Sequence, residues 1–152
     1  MSDMKNELKI QALFKGLADS EIEKVIPFVS LVRFQKDDHV FKEDEPCKGI
    51  YMIKSGKVEI SKSTPDGWRQ PLVILNTGHF MGEIALLEKT NHASNARTVE
   101  PSELFLIPKE YFEEMERKEP FIILKIIKNI AIIAGLNVRR MNEKFIKVLV
   151  NY

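Results

Sequence analysis

Gly78-His79-Phe80-Met81-Gly82-Glu83-Ile84-Ala85-Leu86-Leu87 reads as a turn, a short strand, a second turn and one turn of helix. Gly78 and Gly82 supply points where the backbone takes a positive φ or approaches another group closely. Glu83 stands where a helix begins, and Ala85, Leu86 and Leu87 are helix formers. A helix start leaves N–H groups unpaired, with the positive end of the dipole behind them, and such a place suits an anion. A carboxylate beside an anion site makes chemical sense where it accepts hydrogen bonds from the hydroxyls of a sugar.

The flanking chain is that of a soluble α+β protein. At 152 residues and 44% hydrophobic it is long and apolar enough for one core. Charge is plentiful at 30% but balanced to a net +1, which argues against nucleic acid as an electrostatically driven partner. No apolar leader opens the chain. The longest apolar stretch, Phe121 to Leu136, is interrupted by Lys125, Lys128 and Asn129, so no membrane span is expected. Cys47 is alone and forms no internal disulfide, and the cytoplasm is the expected compartment. His39, His79 and His92 form no His-x-His pair, so a metal-dependent enzyme on a barrel is not expected. No nucleophile and base are paired, and no catalysis is expected.

Upstream, Leu8, Leu13, Phe14 and Leu17 share one face of a helix predicted over Asn6 to Leu17. Asp19 or Ser20 can cap a second helix, which Pro27 ends. From Ser30 to Ile107 the period becomes that of strands. Strands are predicted from Leu31, at Val40–Lys42, Ile50–Lys54, Lys57–Ser61, Gln70–Leu75, Ala96–Val99 and Glu103–Ile107. Asp66-Gly67 marks a hairpin loop, and many short strands between turns predict a jelly-roll or barrel. A short helix over Lys109–Arg117 follows, then a long one from Glu119-Pro120 to about Leu149.

The stretch Gly78–Leu87 resembles the phosphate-binding cassette of cyclic-nucleotide-binding domains, as found in catabolite-activator-type regulators, kinase regulatory subunits and gated channels. Two flanks share the likeness: the run Gly49–Ile60 with its turn at Gly56, and the opening Leu13-Phe14-Lys15-Gly16-Leu17 ahead of a short acidic-capped helix. The resemblance implies a double-stranded β-helix (jelly-roll) over 30–107, with its cassette at 78–98. N-terminal helices (1–29) and C-terminal helices (109–150) would flank it in one domain, 1–152. It implies a cyclic nucleotide, cAMP or cGMP, or a related phosphorylated ligand, and no other cofactor.

The resemblance also implies site residues. Gly82, Glu83 and the N–H groups of Ile84, Ala85 and Leu86 would hold the ligand. Glu83 would accept the ribose 2′-hydroxyl; it reads equally as a helix-start acid that satisfies nearby N–H groups. The family carries an arginine and then a small residue in the loop that follows. Here that place falls on Ala93 or His92, depending on the direction of counting, with Ser94 next. Loss of one bidentate Arg–phosphate pair, worth about 1.5–3 kcal/mol, predicts binding weaker by about ten- to a few hundredfold. Protonated His92 would replace part of it and fade above neutral pH. Arg97 is the other candidate cation, against its reading as a surface arginine of the barrel. Asn137 falls where the family's last helix meets the base; it reads equally as a polar residue that fixes a helix register.

The last helix is apolar on more than one side, which calls for two partners, the barrel and a second copy of itself in a parallel two-fold dimer; it reads otherwise as a helix packed wholly on its own barrel in a monomer. Burying several hundred Å² of apolar surface is worth on the order of 10 kcal/mol before costs, at ~25 cal/mol/Å². A homodimer is therefore expected. No helix-turn-helix follows in the chain as given, so no direct DNA contact is expected. Two functions stand: a cytosolic sensor that signals by movement of the last helix, and a ligand-free descendant of the fold kept as a dimerisation or docking module.

Overall fold

The computed structural model describes residues 2–151. Two four-stranded antiparallel sheets face each other, and helices cover one side. The strands are β1 (Ser30–Phe34), β2 (His39–Phe41), β3 (Gly49–Ser55), β4 (Val58–Ser63), β5 (Arg69–Leu75), β6 (Phe80–Met81), β7 (Asn95–Thr98) and β8 (Ser102–Pro108). One sheet runs β1-β8-β3-β6 and the other β2-β7-β4-β5. This is the jelly-roll expected from the strand spacing. The helices are α1 (Ser2–Lys9), α2 (Asp19–Val25), α3 (Glu83–Glu88), α4 (Lys109–Lys118) and α5 (Pro120–Val150).

β3 organises the packing, because its side chains alternate between two cores. Ile50 and Met52 join Phe14, Phe105, Phe112, Met115 and Ile126 in a core between sheet and helices. Tyr51 and Ile53 point the other way and join Val40, Phe41, Val58, Met81 and Leu104 between the sheets. A strand buried on both faces reads as a continuous apolar run, as Ile50-Tyr51-Met52-Ile53 does.

The N-terminal segment differs from the expected helix over Asn6–Leu17. α1 starts earlier and stops at Lys9, and a separate 3-10 turn spans Ala12–Phe14. Leu8, Leu13, Phe14 and Leu17 are all buried as the spacing implied. The helix breaks because Gln11 turns inward, where its amide donates to Ile53 O at 3.0 Å. Neither Asp19 nor Ser20 caps α2. Ala18 holds the cap position, and the Glu21 carboxylate accepts its N–H at 2.9 Å. Asp19 is instead drawn into ion pairs with Lys5 and Lys9.

α5 is long and apolar enough to cross a membrane by length and composition. In the fold its first turns are core: Ile122, Ile123, Ile126 and Ile130 pack on the helical side of the body. Its remaining apolar residues include a strict alternation of three and four steps: Leu124, Ile127, Ala131, Ala134, Val138, Met141, Phe145 and Val148. That is the a/d repeat of a two-stranded coiled coil. The large members of this seam lie 37–67% exposed.

β3 and β8, neighbours in one sheet, come so close at one end that a Cβ on Gly49 would lie 2.0 Å from Ile107 O. A backbone clash cannot be relieved by a rotamer change. Gly49→Ala is therefore expected to lower the unfolding free energy by at least about 2 kcal/mol, measured as a shift of the urea midpoint. A loss below about 0.5 kcal/mol would contradict this packing.

Candidate ligand site

The cassette is built backbone first. β6 pairs with β3 through Met81↔Tyr51 and Phe80↔Met52, and both β6 side chains are buried. Gly82 then turns the chain with φ +87 and stands at the cap of α3. A Cβ there would lie 2.8 Å from Gly49 O and 3.5 Å from the His92 ring. The position requires glycine for its backbone angle and for its space. The helix ends at Lys89, which is left-handed at φ +58, and Thr90 N–H returns to Ala85 O at 3.0 Å. This is the turn, strand, turn and helix expected from the sequence.

A cavity of about 370 Å³ opens beside the start of α3. Gly82, Glu83, Ile84, Ala85, His92, Ala93, Ser94 and Asn137 all line it. Asn137 comes from α5, so the last helix does reach the mouth of the cavity. Phe41, Ile60, Val73 and Leu75 supply an apolar wall that the motif gave no hint of. The N–H groups of Ile84 and Ala85 lie in the first turn of α3, where the helix itself offers no acceptor. Leu86 differs from the expectation. Its N–H closes the first helical turn on Gly82 O at 3.2 Å. Leu86 packs against the core between sheet and helices and lines a second cavity of about 390 Å³ together with Cys47.

Arg97 does not reach the ligand cavity. Its guanidinium pairs with Asp37, and its Nη2 lies 3.6 Å from Glu59 Oε1. Glu59 also accepts from Arg69 at 2.6 Å. The two neighbours of Arg97 on β7, Ala96 and Thr98, are buried, so Arg97 projects from the opposite face of the strand.

His92 lines the cavity but not as a cation. Its ring is stacked on Phe41, with centroids 3.7 Å apart and planes within 6°. It is buried, and burial lowers its pKa below the ordinary 6.5. Its backbone is also held, since its N–H donates to Glu45 O at 3.0 Å and its carbonyl accepts from Asp44 at 2.8 Å. No lysine or arginine lines the cavity among the described residues, whereas Glu83 and Glu88 both do. Burial raises the Glu83 pKa above its ordinary 4.5, an effect only partly offset by its own N–H. The ionised carboxylate thus lacks donors that a hydroxylated ligand would bring.

Comparison with known proteins fits this geometry. The profile described as "Cyclic nucleotide-binding domain" matches residues 31–119. The chain belongs to this family. It is 25% identical to the cyclic AMP receptor protein of Thermus thermophilus over 136 residues, 90% of this chain and 60% of that protein. It is 28% identical to the mouse (Mus musculus) cGMP-dependent protein kinase 2 over 95 residues, 61% of this chain and 12% of the kinase. The chain therefore spans less than two thirds of the length of either relative. A solved cyclic nucleotide-binding domain from Methylobacillus flagellatus superposes with a TM-score of 0.81 at 14% identity, covering 99% of this chain and 85% of that one. Cyclic nucleotide-binding domains of this family are ligand-sensing regulatory units.

The His92 shift sets a sign for stability. Folding disfavours the protonated ring, so the unfolded chain binds the extra proton first. Stability is lost as pH falls through 6.5 toward the lower folded value. His92→Phe keeps an aromatic face against Phe41 and removes the titration. Between about pH 7.5 and about pH 5.5, wild type is expected to lose more unfolding free energy than the variant. The raised Glu83 pKa acts in the opposite direction, but equally on both proteins. Parallel pH profiles from chemical denaturation would contradict a buried neutral His92.

Proposed function

We propose that this domain is a cytosolic regulatory sensor whose cavity takes a cyclic nucleotide or a related phosphorylated ligand, and that α5 reports occupancy. The carrying observation is one cavity that unites the free first-turn amides of Ile84 and Ala85, the Glu83 carboxylate, Ser94 and Asn137 of α5. In this reading the phosphate sits at the amides and at Ser94, Glu83 accepts a ribose hydroxyl, and Asn137 meets the base edge. Ligand favours the state in which α5 closes over the mouth, and only its preference for that state carries a signal.

Without a cation on the wall, the ligand's charge is met by amides and a hydroxyl alone, next to Glu83 and Glu88. Affinity is accordingly lower, by the one to two orders of magnitude that a bidentate arginine supplies, roughly. The same observation favours a second reading, in which the pocket has lost its ligand and the fold serves as a dimerisation or docking module. Thermal unfolding with millimolar cyclic AMP and cyclic GMP separates the two. A sensor gains stability as RT ln(1 + [L]/Kd), about 2.7 kcal/mol at a hundredfold excess over Kd. The rise is expected to require about ten- to a hundredfold more nucleotide in Glu83→Gln, because a charge-assisted hydrogen bond is lost. No shift with either nucleotide would leave only the scaffold.

Under both readings the exposed a/d seam of α5 pairs with a second copy in parallel. Asn137 stands one residue before Val138, at the edge of that seam, so a partner helix would abut the mouth of the cavity. Sedimentation at micromolar concentration is expected to show a dimer, converted to monomer by Met141→Glu with Phe145→Glu. A wild-type monomer at that concentration would remove the dimer.

A further inference from the structure

Within residues 78–98, lysine and arginine occur only at Lys89 and Arg97, and neither side chain serves the ligand cavity. Lys89 lines the second cavity, with Leu86 and Cys47. Arg97 is paired with Asp37, and its Nη2 lies 3.6 Å from Glu59 Oε1. What the same segment does bring to the ligand cavity is two carboxylates, Glu83 and Glu88, and the ring of His92. Burial lowers the pKa of that ring, so it adds no charge near neutral pH.

An anion entering such a cavity sheds water and meets two carboxylates with no countercharge on the wall, which is unfavourable where the effective permittivity is low. An uncharged ligand avoids that cost. An ionised carboxylate accepts hydrogen bonds on both oxygens and donates none, so it selects a ligand rich in donors. A nucleoside offers adjacent 2′- and 3′-hydroxyls to one carboxylate. A 3′,5′-cyclic phosphate ties up the 3′-oxygen and leaves a single donor on the sugar. The other polar groups of the wall are neutral: Ser94, Thr90, Asn91 and Asn137 suit a 5′-hydroxyl and the edge of a base. Phe41, Ile60 and Val73 supply apolar contact for a ring. The volume, about 370 Å³, falls at the small end of the roughly 300–1,000 Å³ usual for small-molecule sites.

We propose that the ligand this cavity prefers is an uncharged nucleoside, held by its vicinal hydroxyls at Glu83, over the cyclic phosphate of the same nucleoside. The inference rests on the sensor reading above for the site and for the part played by α5, and it changes which ligand binds most tightly. Cyclic nucleotides remain weaker ligands of the same cavity.

Calorimetric titration of the full chain with adenosine, guanosine, cyclic AMP and cyclic GMP tests this. At least one nucleoside is expected to bind at least about tenfold more tightly than its own cyclic phosphate. Its 2′-deoxy form, which lacks one hydroxyl of the pair, is expected to bind at least about fivefold more weakly. Raising sodium chloride from about 50 mM to about 500 mM screens repulsion, so the cyclic phosphate is expected to tighten while the nucleoside changes less than about 1.5-fold. Ala93→Arg places a cation on the wall and is expected to move the ratio of affinities at least about tenfold toward the cyclic phosphate. Glu88→Gln, an exposed position at the end of α3, is the milder second variant and is expected to move it about threefold the same way. A cyclic phosphate that binds as tightly as its nucleoside overturns the inference and leaves the sensor reading standing. So does a cyclic phosphate that weakens with salt, or a ratio that neither variant moves. Equal affinity of the 2′-deoxy form overturns the contact at Glu83. Binding of no nucleoside also overturns the inference, and the sensor reading fails with it only where both cyclic nucleotides fail to bind as well.

Discussion

Two glycine backbones in contact hold the site in place. Gly82 approaches Gly49 O so closely that no side chain fits between them, and the His92 ring, stacked on Phe41, lies next to it. That contact fixes where α3 begins, next to the buried start of β3. Gly82 turns the chain there at positive φ, and the first-turn residues Ile84 and Ala85 of α3 line the cavity. Everything the site can do to a ligand depends on this placement, since the amides need no particular side chain and the carboxylate of Glu83 is carried on the same turn.

The electrostatics of the cavity depart from those of a strong anion site. Amide dipoles and a serine hydroxyl face two carboxylates, and the one histidine is kept neutral by burial. Arg97, the nearest arginine along the chain, is held on the other face of its strand by Asp37 and Glu59. Such a cavity suits a ligand recognised more through its hydroxyls and its base than through its phosphate charge. Burial holds the Glu83 pKa above its ordinary value, so in the proposed reading the donors of a sugar would favour the charged form of that carboxylate.

Much of this was legible in the chain. Alternation in β1 and the apolar run of β3 follow from which faces are buried, and the glycines of the cassette follow from backbone geometry. Ile84, Ala85, Ser94 and Asn137 were implied by the resemblance to the family, and the structure brings them to one cavity. What escaped the sequence depends on contacts between distant segments. α1 stops where it does because Gln11 bonds to β3. Arg97 is occupied because Glu59 lies across the sheet from it, in register on β4. The His92 pKa is lowered because its ring is buried, where it stacks on Phe41. None of these has a local signal, since each needs the register of strands far apart in the chain.

The central claim is that the amides opening α3 cradle an anion in a cavity that α5 borders. Amide chemical shifts followed by NMR during titration with cyclic AMP or cyclic GMP test this most directly. The account expects the largest shifts at Ile84, Ala85 and Ser94, with a smaller saturable shift at Asn137 on α5. Saturation with those amides unmoved, or no shifts at millimolar nucleotide, would contradict it.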